Sequence, residues 1–265
     1  MVTKAKAERT VRIEHIMGTA ISVDVRDPGE HHLALAMFFG LLRRVDQEFS
    51  TYRDDSAVSR VRRGELALDF VSPDFREVLE LCEEVSRLSG GAFDVWSHDA
   101  AGLDPSGLVK GWSVDRGGQI LERCGLRNFC INAGGDILTR GVAAPGSPWR
   151  VGIRNPEERD SLVAVVEISG LAVATSGQYE RGAHIAAPGR GTPAGLRSMT
   201  VTGPSLTLAD AYATAAFAMG DQGIGWVNRL TGGYHGFAVS AAGRGISTEG
   251  FARLRARGSG ASASA

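Results

Sequence analysis

The sequence predicts an α+β domain, and three observations predict it. Segments of helical periodicity and short strand-like segments follow one another in irregular order. Strand candidates crowd into the middle of the chain, and no clean βαβ series of the kind a doubly wound sheet needs is present. With 265 residues the chain is long enough to bury a substantial core in one domain with lobes, running over residues 10–257.

From Thr10 to Val25 apolar residues alternate loosely, which predicts an opening strand broken by a turn at Met17-Gly18-Thr19. His31 to Phe49 and Pro73 to Leu88 carry apolar residues at helical spacing, and Pro73 suits the first turn of the second helix. Lys110 to Cys124 reads as a third helix. Short strands are expected at Arg127–Asn132, Asp136–Arg140, Trp149–Arg154, Val163–Ile168 and Leu171–Thr175, with another at Met199–Thr202. Gly203-Pro204-Ser205 breaks the chain before a helix over Leu206–Met219 and a shorter one over Gln222–Leu230. Residues 235–249 read as a closing hairpin, and residues 258–265, GSGASASA, as a disordered tail.

Composition narrows the function classes. With 29 basic and 30 acidic side chains the net charge is −1, which gives no bulk footprint for nucleic acid or an anionic membrane. No stretch approaches the length of a membrane span, and no apolar segment of signal-peptide type follows the first basic residues, so a cytoplasmic protein is expected. Cys82, Cys124 and Cys130 lack the paired spacing of a zinc site and read as free thiols. The 35 glycines fall in short runs rather than at a fixed period, as tight turns or a backbone approached by phosphates would require.

Four constellations could carry chemistry. In LDPSGLVKGWSVDRGG, Leu103 to Gly118, turn residues precede a helix whose free amides can face an anion, with Lys110 adding a mobile charge; the plain alternative is a turn and an amphipathic helix with a solvated lysine. In INAGGDILTRG, Ile131 to Gly141, a glycine pair and one acid, Asp136, read foremost as a hairpin bend. In LADAYATAAFAMG, Leu208 to Gly220, Asp210 and Thr214 stand four apart and share a helix face, so a hard cation could use both oxygens beside ligand phosphates; the alternative is a helix-start acid and a back-bonded threonine. In SGQYERGAHIAAPGRG, Ser176 to Gly191, His184 sits between glycine-rich turns as a candidate proton acceptor, against the alternative of a solvated loop histidine. No G-x-S-x-G elbow, complete P-loop, GxGxxG fingerprint or HExxH motif is present.

Taken in order, MGT at Met17, FSTYRDDSAVSRV at Phe49, GAFDV at Gly91, LDPSGLVKGWSVDR at Leu103, INAGGDI at Ile131, ATSGQYER at Ala174 and LADAYATAAFAMG at Leu208 resemble the ApbE family of FAD:protein FMN transferases. The resemblance implies a T-fold-like α+β domain of two lobes with a mixed, largely antiparallel sheet and FAD in the cleft between them. It implies Mg2+ held by the side chains of Asp210 and Thr214 and the main-chain oxygen of Gly107. Asp104 and Lys110 match nucleotide contacts, Met17 and Tyr52 positions lining the flavin, and Ala92, Phe93 and Asp94 a further contact segment. His184 matches the histidine of the family's HIIDPRTG block, which reads HIAAPGRG here, so Ala187 replaces an acid and Ala186 a bulkier neighbour of the flavin. The implied reaction is attack by a threonine or serine hydroxyl of a target flavoprotein on the FMN-side phosphorus of FAD, with AMP leaving and His184 or Asp210 taking the proton. Hydrolysis of FAD to FMN and AMP, or FAD binding without turnover, are the alternatives.

Overall fold

The computed structural model describes residues 9–96, 102–158, 160–177 and 195–256. The chain opens with a hairpin of β1 (Thr10–Ile16) and β2 (Thr19–Val25), joined by the two-residue turn Met17-Gly18. Both turn residues have positive φ, +57° and +73°, as the primed turns that match strand twist demand. Met17 is the sole non-glycine residue with positive φ among the described residues, in a conformation that costs an L-residue about 1–2 kcal/mol.

Two amphipathic helices follow, α1 (His32–Phe49) and, after the short α2 (Ala57–Arg62), α3 (Pro73–Leu88). Leu35, Phe38, Leu42, Val45 and Phe49 of α1 recur at helical spacing and are buried. Ser72 starts α3 by accepting the Phe75 N–H at 3.0 Å, with Pro73 in the first turn. Helix α4 (Ser106–Arg123) begins one turn earlier than its apolar pattern indicates, because Asp104 Oδ1 accepts the Ser106 N–H at 3.0 Å and sets the entry of the chain.

Eight strands form one sheet, in the order β1, β2, β3 (Phe129–Ala133), β4 (Asp136–Arg140), β7 (Ala172–Gly177), β8 (Leu196–Gly203), β9 (His235–Ser240), β10 (Gly245–Ser247). Every pairing in it is antiparallel. The hairpin of β5 (Trp149–Arg154) and β6 (Leu162–Ile168) is a separate two-stranded sheet inserted between β4 and β7. Helices α5 (Leu206–Ala218), α6 (Gly223–Val227) and α7 (Glu249–Leu254) complete the described chain. The closing hairpin is β9 and β10, and Thr248 then caps α7 through the Phe251 N–H.

Alternation along the central strands sends side chains into two cores. Leu138, Ala172, Ala174, Met199, Val201 and Ala238 face the large core built with α1, α4 and α5. Their neighbours Ile137, Val173, Phe237 and Val239 face the opposite side, where Val151, Ile153, Val166 and Phe251 cover them. The β5–β6 hairpin and α7 are therefore a lid on the back of the sheet. Among the described residues no helix is long and apolar enough to cross a membrane.

Candidate active site

The sheet register gathers several turns at one end of the molecule. Ala133 pairs with Ile21, close behind the Met17-Gly18 turn, and with Asp136 across the Gly134-Gly135 turn. Ile137 pairs with Val173, so Asp136 faces the last residues of β7. Gly134 and Gly135 take φ of +64° and +106°, and a Cβ on Gly134 would sit 2.5 Å from Thr19 Oγ1, so this bend accepts no larger residue in place.

Two helices bring the remaining side chains. Helix α4 crosses the start of α5 so closely that a Cβ on Gly111 would lie 2.5 Å from the Leu206 carbonyl oxygen. The start of α5 is fixed by Asp115 of α4, whose carboxylate accepts the Leu206 and Thr207 N–H groups at 3.1 and 2.8 Å and the Ser205 and Thr207 hydroxyls at 2.7 and 2.6 Å. Lys110 and Asp210 meet as a result. The Lys110 ammonium forms a short ion pair with Asp136 and lies 3.3 Å from Asp210 Oδ2.

Both carboxylates are buried, at 1% and 2% side-chain exposure, while Lys110 is 20% exposed and so reachable from solvent. Asp136 is held from two sides, because its second oxygen accepts the Thr175 N–H at 3.0 Å. Asp210 Oδ2 is different: it accepts no hydrogen bond, the ammonium approaching it only as a charge, and it is the one such buried side-chain oxygen or nitrogen among the described residues. Among the described residues one ammonium serves two buried carboxylates, an arrangement that costs several kcal/mol per ion unless a further positive group completes it.

A hydroxyl suited to a hard cation shares the face of α5 that carries Asp210. Thr214 stands one turn after Asp210 on α5, and its hydroxyl shares a hydrogen bond of 3.1 Å with Ser176 Oγ. A Cβ on Gly107 would lie 3.7 Å from Thr214 Oγ1 and 3.2 Å from the Phe93 ring, so the α4 backbone passes directly beside the threonine. Asp210, Thr214 and the backbone of Gly107 thus fit a divalent cation, with the unpartnered Oδ2 as its strongest donor.

The other predicted residues fall around this centre at different removes. Met17 is near it: Ser113 Oγ donates to the Lys110 carbonyl at 2.8 Å and lies 3.7 Å from the Met17 sulfur. Phe93 is buried against Gly107, its N–H bonded to Ser89 Oγ at 3.0 Å, while Ala92 and Asp94 flank it on the same turn. Asp94 Oδ1 accepts the Trp96 N–H at 2.8 Å, and the Asp104 N–H donates to the Val95 carbonyl at 2.7 Å, which ties this turn to the start of α4. Tyr52 is 97% exposed, in the loop between α1 and α2. His184, Ala186 and Ala187 lie outside the described residues.

Sequence reasoning treated Asp136 as the acid of a hairpin bend and passed over Ser176 and Asp115. The bend is there, but Asp136 is also the principal partner of Lys110, 26 residues away in sequence. The signal that could have found it is an acid set directly after a Gly-Gly pair at the mouth of two strands, a position no solvent-facing turn residue needs. Cys82 is buried and Cys130 half-buried; burial pushes the pKa of each thiol up to about 12, and neither takes part in the centre. A separate cavity of about 330 Å³ lies between Glu77, Trp112, Asp115, Arg116, Arg140 and Ser205, and none of Lys110, Asp136, Asp210 or Thr214 lines it.

An antiparallel sheet backed by two closely crossed helices, with a Lys-Asp-Asp cluster where they meet, defines an α+β protein with one charged, largely buried centre. The ApbE family model matches residues 17–99 and 96–237, and the chain belongs to that family. Among curated relatives, the FAD:protein FMN transferase of Vibrio cholerae serotype O1 is 29% identical over 242 residues, covering 69% of this chain and 72% of its own length. That of Treponema pallidum is 28% identical and covers 82% of this chain and 80% of its own. The Salmonella typhimurium enzyme is 33% identical over 131 residues, only 37% of its length. Among solved structures, the apo form of the Pseudomonas stutzeri flavinyl transferase ApbE superposes with a TM-score of 0.81 at 25% identity, over 93% of this chain and 96% of its own. The flavin transferase ApbE from Vibrio cholerae superposes equally well, with a TM-score of 0.81, but at 22% identity that likeness is one of fold.

Proposed function

We propose that this chain is a Mg2+-dependent FAD:protein FMN transferase, which joins FMN through a phosphoester to a threonine or serine of a target flavoprotein and releases AMP. The observation that carries the reading is Asp210 Oδ2, buried and without a hydrogen bond, beside Thr214 and Gly107 and 3.3 Å from the one ammonium that two carboxylates share. The family membership and the names of the relatives support the same reaction.

In this reading residues 10–257 are one flavin transferase domain with FAD in a cleft between lobes. Asp210, Thr214 and the Gly107 main-chain oxygen hold the cation, and when bound it neutralises the pyrophosphate and stabilises charge on the departing AMP. Lys110 adds its ammonium to the same phosphates and is exposed enough to reach them. Ser176 fixes the Thr214 hydroxyl. Met17, Tyr52, Ala92, Phe93, Asp94 and Asp104 contact the flavin nucleotide, and Ala186 stands at the sequence position where the family block has a bulkier neighbour of the flavin. The acceptor hydroxyl oxygen bonds to the FMN-side phosphorus as the bond to AMP breaks. Its proton passes to His184 or to Asp210. A cytoplasmic acceptor belongs to the same proposal and is checked by cell fractionation.

The test is AMP release from FAD with Mg2+ or EDTA, for the parent and for Asp210→Ala, with a co-expressed acceptor flavoprotein scored for covalent FMN. Mg2+-dependent AMP together with labelled acceptor is expected, and Asp210→Ala should lower it by at least a hundredfold. AMP without label would replace transfer by FAD hydrolysis, and bound FAD without AMP would leave a carrier.

A further inference from the structure

We infer that Asp136 is a positioning residue that holds the Lys110 ammonium off Asp210 and so keeps Asp210 Oδ2 open to a divalent cation. The inference rests on the cation reading above and concerns how the centre is kept ready for the metal. Lys110 has two buried carboxylates within ion-pair distance, yet it bonds closely to only one of them. Asp136 is the better holder because it is itself anchored, through the Thr175 N–H at 3.0 Å, to strand β7. Asp210 has no such anchor on Oδ2.

The choice between the two carboxylates decides what the centre can bind. Were Lys110 to seat itself fully on Asp210, the ion pair would satisfy the strongest cation donor, and a metal would have to displace an ammonium at the cost of an unpaired buried lysine. With Lys110 held on Asp136, the ammonium is taken up by the holder, and Asp210 keeps Oδ2 free of any hydrogen bond. The same tether leaves the ammonium beside the cation position, where it can meet the phosphates that the cation brings. Asp136 touches neither cation nor FAD in this account and acts through Lys110 alone.

A double-mutant cycle separates that role from a direct one, since coupling appears only between residues that act on each other. Mn2+ alone is titrated into the purified full chain and its binding followed by electron paramagnetic resonance for the parent, Asp136→Asn, Lys110→Ala and the double variant. Circular dichroism and a thermal melt establish that each variant is folded. Asp136→Asn keeps the side-chain shape and the acceptor for Thr175 N–H, so the fold has little reason to change. Asp136→Asn is expected to weaken Mn2+ at least tenfold in the parent background, and less than threefold once Lys110 is alanine. Equal losses in both backgrounds would show that Asp136 acts on the cation directly and would overturn the inference, as would an unchanged or tighter Mn2+ affinity in Asp136→Asn. Absence of Mn2+ binding in the parent would overturn the cation reading and this inference with it, whereas the other outcomes leave the cation reading standing.

Discussion

Asp27 shows how one side chain can join distant parts of the chain. Its carboxylate accepts the Arg127 and Asn128 N–H groups at 2.8 Å each and the Asn128 side-chain amide at 2.9 Å, tying the end of β2 to the start of β3. Burial by itself would raise its pKa, but these hydrogen bonds outweigh it and hold the carboxyl below its ordinary 3.8. A depressed folded-state pKa gives stability that is present above the unfolded value and lost as pH falls through the folded one. Asp27→Asn is therefore expected to lose about 1 kcal/mol at neutral pH, a figure discounted for partial exposure, and the gap from the parent should close below about pH 4. Urea unfolding of both chains across that window checks it, and a gap that widens on acidification would refute it. At this scale the sequence was legible where chemistry is local. Asp210 and Thr214 are four apart on one helix, and that spacing alone puts them on one face. Asp27, Asp115 and Asp136 were not legible, because their partners lie 100, 92 and 26 residues away and no periodicity links them.

Between elements, the crossing of α4 and α5 sets the geometry of the centre, and Gly111 permits it. A methyl there would meet the Leu206 carbonyl oxygen and carbon at 2.5 and 2.8 Å and the Thr207 Cα at 2.9 Å, all backbone atoms that yield only if a helix moves. Alanine ordinarily stabilises a helix interior over glycine by about 0.5–1 kcal/mol. Here Gly111→Ala is expected to destabilise by about 1–3 kcal/mol instead, the range for overpacked cores. Because Lys110 precedes the contact and Asp210 follows it on the other helix, AMP release should fall as well, out of proportion to the loss of folded protein. Denaturant titration and AMP release on the folded fraction measure the two effects; a neutral or stabilising result would refute the close approach. The long elements were readable from the sequence, since 16 to 18 residues of helical period leave little ambiguity, as α1 and α3 show. The six-residue helices α2 and α7 were not, for a helix of that length rests on its cap and its packing, and only Ser56 and Thr248 announce them.

Across the whole molecule the sheet is the wall between two cores, and this arrangement predicts how the protein unfolds. The alternation of Ile137 and Leu138, of Val173 and Ala174, and of Phe237 and Ala238 commits each central strand to both cores at once, so neither can melt while the other keeps its strands. Sequence patterning could show that these strands are apolar on both sides, but not that an inserted hairpin and a last short helix would cover the second side. Phe251 is the test of that cover: it is fully buried and stacks on Phe237 with ring centroids 5.3 Å apart and an interplanar angle of 16°. Phe251→Ala is expected to cost about 3–5 kcal/mol, as removal of a buried phenylalanine does. The loss should lower the midpoint of a single transition, reported alike by Trp149 in the second core and Trp112 in the first, rather than create an early step confined to Trp149. Lys110, Asp210 and Thr214 come from α4 and α5 on the opposite side of the sheet, so AMP release per folded molecule should stay within about twofold of the parent well below the midpoint. Two separated transitions would mean that the hairpin and α7 fold as their own unit, and lost activity in the folded variant would mean that the back of the sheet shapes the centre through the strands.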